Sequence, residues 1–405
     1  MSFNLYLILF IILGFWGIMN YLSPSLKDRG VEVAGFTLLW RTKKFMGVID
    51  NLSKKFGKFW DYFAKFGIIA SLFGSVFVIY LLGSSILKMM ESPEAPAGVM
   101  LAIPGVTIPL WYGLIGIVTL VIVHEFAHGI VARRENIPLK SVGAGVFIAL
   151  PLAFVEPEEE EMKKASPWAR IKVYGAGSTA NFVLALVALL LIFSIFTPQL
   201  PNSGVVILDT EPDSPAELAG LETGMLIEEL ELKGVVYNID NYKQFEKLME
   251  ETTPGEILIM ITQKGKYTIN LAKHPEKNIG YIGIRSIDRS WVIPPPVSEI
   301  IKNPGKLKDL LYSLRYLSPI LYPETFSTAG WFFINSLIWI FILNLGIGLM
   351  NLLPIPYVLD GGKIVKELIE MKFSKKVSNA ISVSLTIMCL ILLLINFFPK
   401  ILVIL

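Results

Sequence analysis

Three histidines occur in the whole chain, and two of them stand four residues apart in Val121-Ile122-Val123-His124-Glu125-Phe126-Ala127-His128-Gly129. Positions i and i+4 of a helix share one face, so the two imidazoles can grip a single Zn²⁺ ion, the spacing of an H-E-x-x-H metal site. Glu125, one residue along, can reach a water at such a metal and act as general base. The bland reading is a pair of core histidines with a carboxylate at a helix end. Depth speaks against it: counted back from Arg133, His124 lies about 13 Å deeper along the helix, where an ionisable side chain without a partner is costly. Hydrolytic zinc takes three protein ligands and keeps a fourth position open. The other histidine, His274, falls in a remote polar segment, so the third ligand should be a carboxylate. Asp360 is the best placed, in Asn351-Leu352-Leu353-Pro354-Ile355-Pro356-Tyr357-Val358-Leu359-Asp360-Gly361-Gly362, where prolines interrupt a helix and glycines admit close backbone approach. Its bland reading is an N-cap for a helix starting near Lys363. Asp61, Glu91 and Glu94 fit less well, lying outside the apolar runs or at their opposite end.

Elements that hold such a site must come from an unusually apolar chain: 53% of its 405 residues are hydrophobic and 17% charged, with a mean hydropathy of +0.59. Residues 1–26, 66–87, 95–124, 173–208, 325–359 and 377–399 contain no Asp, Glu, Lys or Arg, and each run can cross a bilayer, which takes about 20 residues. Six transmembrane helices are expected at 3–22, 67–89, 108–132, 173–197, 328–352 and 377–399. The first begins without a basic leader or a small-residue cleavage site and reads as a retained span rather than a signal peptide. Nine basic residues lie between the first two spans, from Lys27 to Lys65, whereas the next loop has only Lys88 at its edge. The loops after spans three and five are also basic. By the positive-inside rule these three loops face the cytoplasm and both termini face outward. A net charge of +2, without a dense basic segment, excludes a nucleic-acid surface, and the single cysteine, Cys389, excludes an intrachain disulfide or a cysteine cluster.

The stretch 202–290 departs from this pattern. It is rich in charge and carries β-type runs at Val205–Leu208, Ile257–Thr262, Tyr267–Leu271 and Tyr281–Ile284, with a helical pattern at Tyr242–Glu250, and so reads as a small α+β domain inserted between spans four and five, outside the cytoplasm. A Pro-rich connector at Ile293–Pro296 and an interfacial helix near Leu307–Leu317 should follow. The expected division is 1–107, two spans and a cytoplasmic loop; 108–201, the first half of a catalytic membrane core; 202–290, the inserted domain; 291–327, linker and interfacial helix; and 328–405, the second half of the core. The apolar stretch Gly145–Phe154 is too short to span; it can dip into the bilayer and offer a strand edge to an unwound substrate. The acidic run from Glu156 to Glu161 reads as a solvated turn.

Taken together, His124-Glu125-Phe126-Ala127-His128, Asn351-Leu352-Leu353-Pro354 and Leu359-Asp360-Gly361 resemble the site-2 protease family of intramembrane zinc metalloproteases. Ala176-Gly177-Ser178-Thr179-Ala180-Asn181-Phe182 is similar to that family's small-residue and asparagine motif, and Ala153-Phe154-Val155-Glu156-Pro157 resembles the segment after its membrane-embedded β element. The spacing between Pro356 and Asp360 is longer than in common bacterial members, and Ser178 stands where a proline is frequent. Asp213-Ser214-Pro215-Ala216-Glu217-Leu218-Ala219-Gly220, with Gly280-Tyr281-Ile282-Gly283-Ile284, looks like a PDZ domain.

The resemblance implies a polytopic α-helical membrane protein of six spans with one inserted PDZ-like domain, of the prokaryotic type and so of a prokaryotic cell membrane. It also implies a metalloendopeptidase that cuts within or beside the transmembrane segments of membrane-protein substrates. The expected site is Zn²⁺ on His124, His128 and Asp360, with Glu125 as general base. For Asn181 it implies a hold on the substrate backbone or the oxyanion, with an interhelical hydrogen bond as the alternative. A peptide ligand for the PDZ-like domain is a further expectation. The competing class is a transporter or metal-binding receptor using the same residues, for which inverted repeats are the missing signal.

Overall fold

The computed structural model describes residues 2–91, 98–196, 203–288, 299, 302–303 and 327–398, with side chains at 10 and from 12 onward except at 196. It divides into two compact units, Met1–Ala188 with Trp339–Leu405, and Leu189–Ile338.

Long apolar helices dominate the first unit: α1 (Ser2–Lys27), α3 (Gly57–Glu91), α4 (Leu110–Arg134) and α11 (Lys375–Phe397) lie wholly in it, α6 (Pro167–Phe196) as far as Ala188 and α9 (Thr328–Met350) from Trp339, with the short α2 (Met46–Lys55), α5 (Glu159–Lys164) and α10 (Asp360–Glu370) between them. Among the described residues five helices are long and apolar enough to cross a membrane, α3, α4, α6, α9 and α11, each on an expected span, and the chain is a multi-pass helical membrane protein. The first expected span lies in α1, some of whose side chains are outside the described residues. α3 runs about ten residues further toward its N-terminus than hydropathy alone suggests. The polar extension is anchored, because Arg134 donates to both oxygens of Asp61 at 2.8–3.0 Å.

Glycines set the closest helix approaches. Gly67 of α3 and Gly175 of α6 face each other so tightly that a Cβ on Gly175 would lie 3.1 Å from the Gly67 carbonyl, and one on Gly116 of α4 would lie 3.1 Å from the Trp339 carbonyl of α9. Such small-residue contacts let helices approach where lipid supplies no hydrophobic drive. α4 sits in the middle of the unit: its buried residues Ala127, Ile130 and Val131 pack with Ile49 of α2, Phe63 of α3 and Val173 and Ala176 of α6.

Beside α4 lies a four-stranded antiparallel sheet in the order β1 (Val31–Ala34), β2 (Thr37–Thr42), β3 (Leu139–Phe147), β4 (Leu150–Pro157). The expected dipping segment at Gly145–Phe154 is the turn and flanks of the β3–β4 hairpin, with Phe147 opposite Leu150. The basic loop read only as a cytoplasmic connection supplies β1, β2 and α2. Ile148 at the hairpin tip has φ +57°, a conformation disfavoured for a β-branched residue. It is held there from both sides, its N–H donating to Phe36 O at 2.8 Å and its C=O accepting from the buried Trp16 Nε1 of α1 at 2.9 Å.

The second unit contains a sheet in the order β12 (Ile284–Asp288), β5 (Val205–Thr210), β6 (Leu226–Leu232), β8 (Ile257–Thr262), β9 (Gly265–Asn270), with β7 (Val235–Asn238) on β6 and a separate pair β10 (Ala272–Lys273) and β11 (Gly280–Tyr281). α7 (Pro215–Leu218) and α8 (Tyr242–Glu250) complete it. Asn241 caps α8 by accepting from Gln244 N at 3.0 Å, and Phe245, Leu248 and Met249, on one helical face, join the core of Ile207, Ile227, Leu230, Leu258 and Met260. The expected connector at Ile293–Pro296 and the helix near Leu307–Leu317 lie outside the described residues.

Candidate metal centre

α4 places His124 and His128 on one face, ring against ring at a centroid separation of 4.6 Å. Opposite them, α9 stops at Met350 and the chain turns through two prolines before α10 starts at Asp360. A backbone bond from Gly361 N to Asn351 O, 3.0 Å, closes this turn. Both glycines after Asp360 are required by contact, since a Cβ on Gly361 would strike the Leu352 carbonyl and one on Gly362 the Ile355 carbonyl. The extra length between Pro356 and Asp360 is taken up by Tyr357, at φ +69°. Asp360 is the first residue of α10 rather than a cap before a later helix, and its carboxylate sits at the positive end of the helix dipole.

Three ligand atoms converge. His124 Nε2 and His128 Nε2 are 3.1 Å apart, and Asp360 Oδ2 lies 3.1 Å from the first and 3.0 Å from the second. A tetrahedral zinc with bonds of about 2.05 Å spaces its ligand atoms by about 3.3 Å, so the triangle is the size the ion needs. The tautomers agree. His128 Nδ1 lies 2.7 Å from Val173 O, a pure acceptor, so Nδ1 carries the proton and Nε2 turns a lone pair inward. The Asn181 amide lies 3.1 Å from His124 Nδ1, and its Oδ1 has no partner among the described residues. With the amide oxygen turned to that nitrogen, it accepts the N–H and directs the His124 Nε2 lone pair inward as well. With both Nε2 lone pairs turned inward, the two nitrogens and the carboxylate oxygen present three donor atoms to a cation. His124, His128 and Asp360 thus form a group with the size and donors to hold a metal ion, and the donor set suits Zn²⁺.

Around this group, Asn351 Nδ2 donates to Asp360 Oδ2 at 2.9 Å and approaches His124 Nε2 at 3.1 Å. Asn351 was visible only as part of a motif; its signal is an amide closing a long apolar run. Gly177 of α6 lies against the imidazoles, where a Cβ would collide with His128 Nε2 and come within 2.6 Å of His124 Nε2. Glu125 Oε2 accepts from Val155 N of β4 at 3.0 Å. A cavity of about 300 Å³, walled by Leu120, Val121, Ile347, Met350 and Leu393, opens onto His124, Glu125, Asn181 and Asn351. Its walls are mostly apolar, and its polar side chains are those four. The acidic run is divided: Glu156 is tied to Arg41 and Ser141, and Glu159–Glu161 open the exposed α5.

A family model described as Peptidase family M50 matches residues 112–395, well over half of the chain. An uncharacterized protein of Methanocaldococcus jannaschii is 28% identical over 338 residues, 82% of this chain and 76% of its own. The zinc metalloprotease RasP of Oceanobacillus iheyensis is 26% identical over 237 residues, 52% of this chain and 53% of that protein. The regulator of sigma-W protease RasP of Bacillus subtilis is 24% identical over 244 residues, 56% of each. The chain spans about half the length of the two RasP relatives.

Proposed function

Because the chain belongs to peptidase family M50, the site-2 type zinc metalloproteases, we propose that it hydrolyses peptide bonds within or beside the transmembrane segments of other membrane proteins. The observation that carries this reading is the convergence of His124 Nε2, His128 Nε2 and Asp360 Oδ2 within 3.1 Å, beside Glu125 at the polar end of an apolar cavity.

His124, His128 and Asp360 would hold the metal. Zinc, when bound, polarises a water and the scissile carbonyl. Glu125 removes the water's proton and returns it to the leaving amide nitrogen. Asn181 fixes the His124 ring through Nδ1, a role supported by their 3.1 Å contact; an amide at the cavity wall also suits a hold on the substrate backbone or the oxyanion. β4 supplies a docking edge. β3 covers one side of it, and the outward Val155 N–H reaches Glu125, so by strand alternation the N–H and C=O of Ala153 point to the same open side. A substrate helix hides its carbonyls until it unwinds, and pairing with Ala153 would hold the extended product of that unwinding near Glu125.

The expected division of the chain at 107, 201, 290 and 327 stands as part of this proposal, with residues 202–290 as a PDZ-like domain that takes a peptide. The Ser214-Pro215 helix start and the Gly280–Ile284 strand sequence support that identity. The basic loops support a metal site toward the cytoplasm and an extracytoplasmic inserted domain, in a prokaryotic cell membrane.

Cleavage of a single-span model substrate by purified protein in detergent tests the proposal, with wild type, Glu125→Gln and chelator-treated samples compared. Cutting by untreated wild type alone supports it. Equal cutting by Glu125→Gln would refute the assigned chemistry, and stoichiometric zinc binding with no cutting of any membrane substrate would favour a binding or transport role.

A further inference from the structure

The carboxylate of Asp360 is divided between two sets of partners. Oδ2 faces His124, His128 and Asn351, whereas Oδ1 accepts from Lys363 Nζ at 3.1 Å. Lys363 stands one turn further along α10, and its ammonium is fixed from a second direction by the ring of Tyr174 on α6, 5.6 Å to the centroid. The side chain of Asp360 is 5% exposed and that of Lys363 37%, so the lysine runs from the surface to a carboxylate that is otherwise sealed. An ordinary i,i+3 pair on a helix surface joins two solvated groups; here one partner is buried and committed to a metal.

From this geometry, and resting on the metal centre proposed above, we infer that Lys363 is a positioning residue that holds Oδ1 away from the metal and leaves Asp360 a single-oxygen ligand. The consequence is chemical. A carboxylate free to turn both oxygens to zinc fills the position that a hydrolytic site keeps open for water and substrate. A point charge on a flexible stem suits the task, since it satisfies one oxygen without gripping both, and an arginine at the same place could still reach Oδ1. Outer-sphere partners of this kind are worth about 10- to 100-fold in metal affinity or activity.

The test uses the full chain in detergent, loaded with Co²⁺ for visible absorption and with Zn²⁺ for kinetics on a single-span substrate. Lys363→Met keeps the stem but removes the ammonium. It should weaken the cobalt absorption, as an added oxygen ligand does, and lower kcat about 10- to 100-fold with KM within about twofold of wild type. Lys363→Arg should restore both to within about threefold. A Lys363→Met spectrum that superimposes on wild type, with kcat unchanged, would overturn the inference. If Lys363→Met does not fold, as judged by melting, Lys363→Gln is read in its place against the same two outcomes. Asp360→Asn separates the two levels of argument: an unchanged cobalt spectrum in that variant sinks the metal centre itself, whereas a changed one beside an unchanged Lys363→Met spectrum sinks only the role of the lysine.

Discussion

At position 177 a single methyl group should close the metal site. In most helices Gly→Ala is favourable by about 0.5–1 kcal/mol, but a Cβ on Gly177 would enter the space between His128 Nε2 and His124 Nε2. Gly177→Ala should therefore lower zinc affinity at least about tenfold and abolish cleavage, the gain in helix propensity being set against an overpacking cost of about 1–3 kcal/mol; an alanine variant with normal zinc binding would contradict the geometry. Asn181 divides two roles by measurement. If it orients His124, Asn181→Ala should weaken zinc binding about 10- to 100-fold; if it holds an oxyanion, kcat should fall about 100-fold with zinc affinity intact. The meeting of His124, His128 and Asp360 was legible in the sequence because ionisable residues are rare in apolar runs and their spacing carries geometry. The contacts of Gly177 and Lys363 with that group were not, because nothing local says that a glycine faces another helix's imidazoles or which oxygen of a carboxylate a lysine meets.

Between elements, the ion pairs show how a soluble rim holds an apolar core. Arg170 of α6 grips Glu367 of α10 with two bonds of 2.8 and 2.6 Å, and the side chains are only 19% and 13% exposed. Removing Arg170 leaves a half-buried carboxylate unpaired on the helix that carries Asp360, so Arg170→Met should cost about 1–3 kcal/mol and weaken zinc binding with it; a melting curve and a zinc titration check both. Across the four-stranded sheet, Arg41 of β2 reaches Glu156 of β4 at 3.1 Å. Partial burial would raise the Glu156 carboxyl, but the hydrogen bonds from Arg41 and Ser141 outweigh it and hold the group below its ordinary value of 4.5. A depressed folded-state value means stability that is present above the unfolded value and lost as pH falls through the folded one. Because these side chains are about 30% exposed, the contribution is no more than about 1 kcal/mol. Glu156→Gln should thus lower the neutral melting temperature by the equivalent of no more than about 1 kcal/mol and converge with wild type in acid, so that the fall below pH 4.5 is shallower; a variant whose difference from wild type is the same at neutral pH and in acid would exclude the pair as its cause. The long helices and the α8 face were readable from hydropathy and period. The β1–β2 hairpin was not: β1 is only four residues long, the six of β2 lack a clear alternation, and the partner β3 lies some hundred residues away, so only tertiary pairing selects them.

For the whole molecule, the unequal distribution of basic residues is a claim about which side of the membrane each loop faces. Lys27 to Lys65 precede α3's apolar run and Arg133 and Arg134 end α4, and the proposed topology takes these loops as cytoplasmic by the positive-inside rule. On that proposal, alternation through the spans gives residues 202–290 an extracytoplasmic location. The chain's one cysteine, Cys389, is fully buried, so labelling of an introduced cysteine has little background. Lys55, at the end of α2, and Lys277, in the second unit, are both exposed. In intact cells, Lys277→Cys should react with a membrane-impermeant maleimide and Lys55→Cys only after permeabilisation. The reverse pattern would invert the topology, and with it the class of substrate: a site open to the cytoplasm releases the cytoplasmic part of a spanning protein, whereas an inverted one would release the part outside.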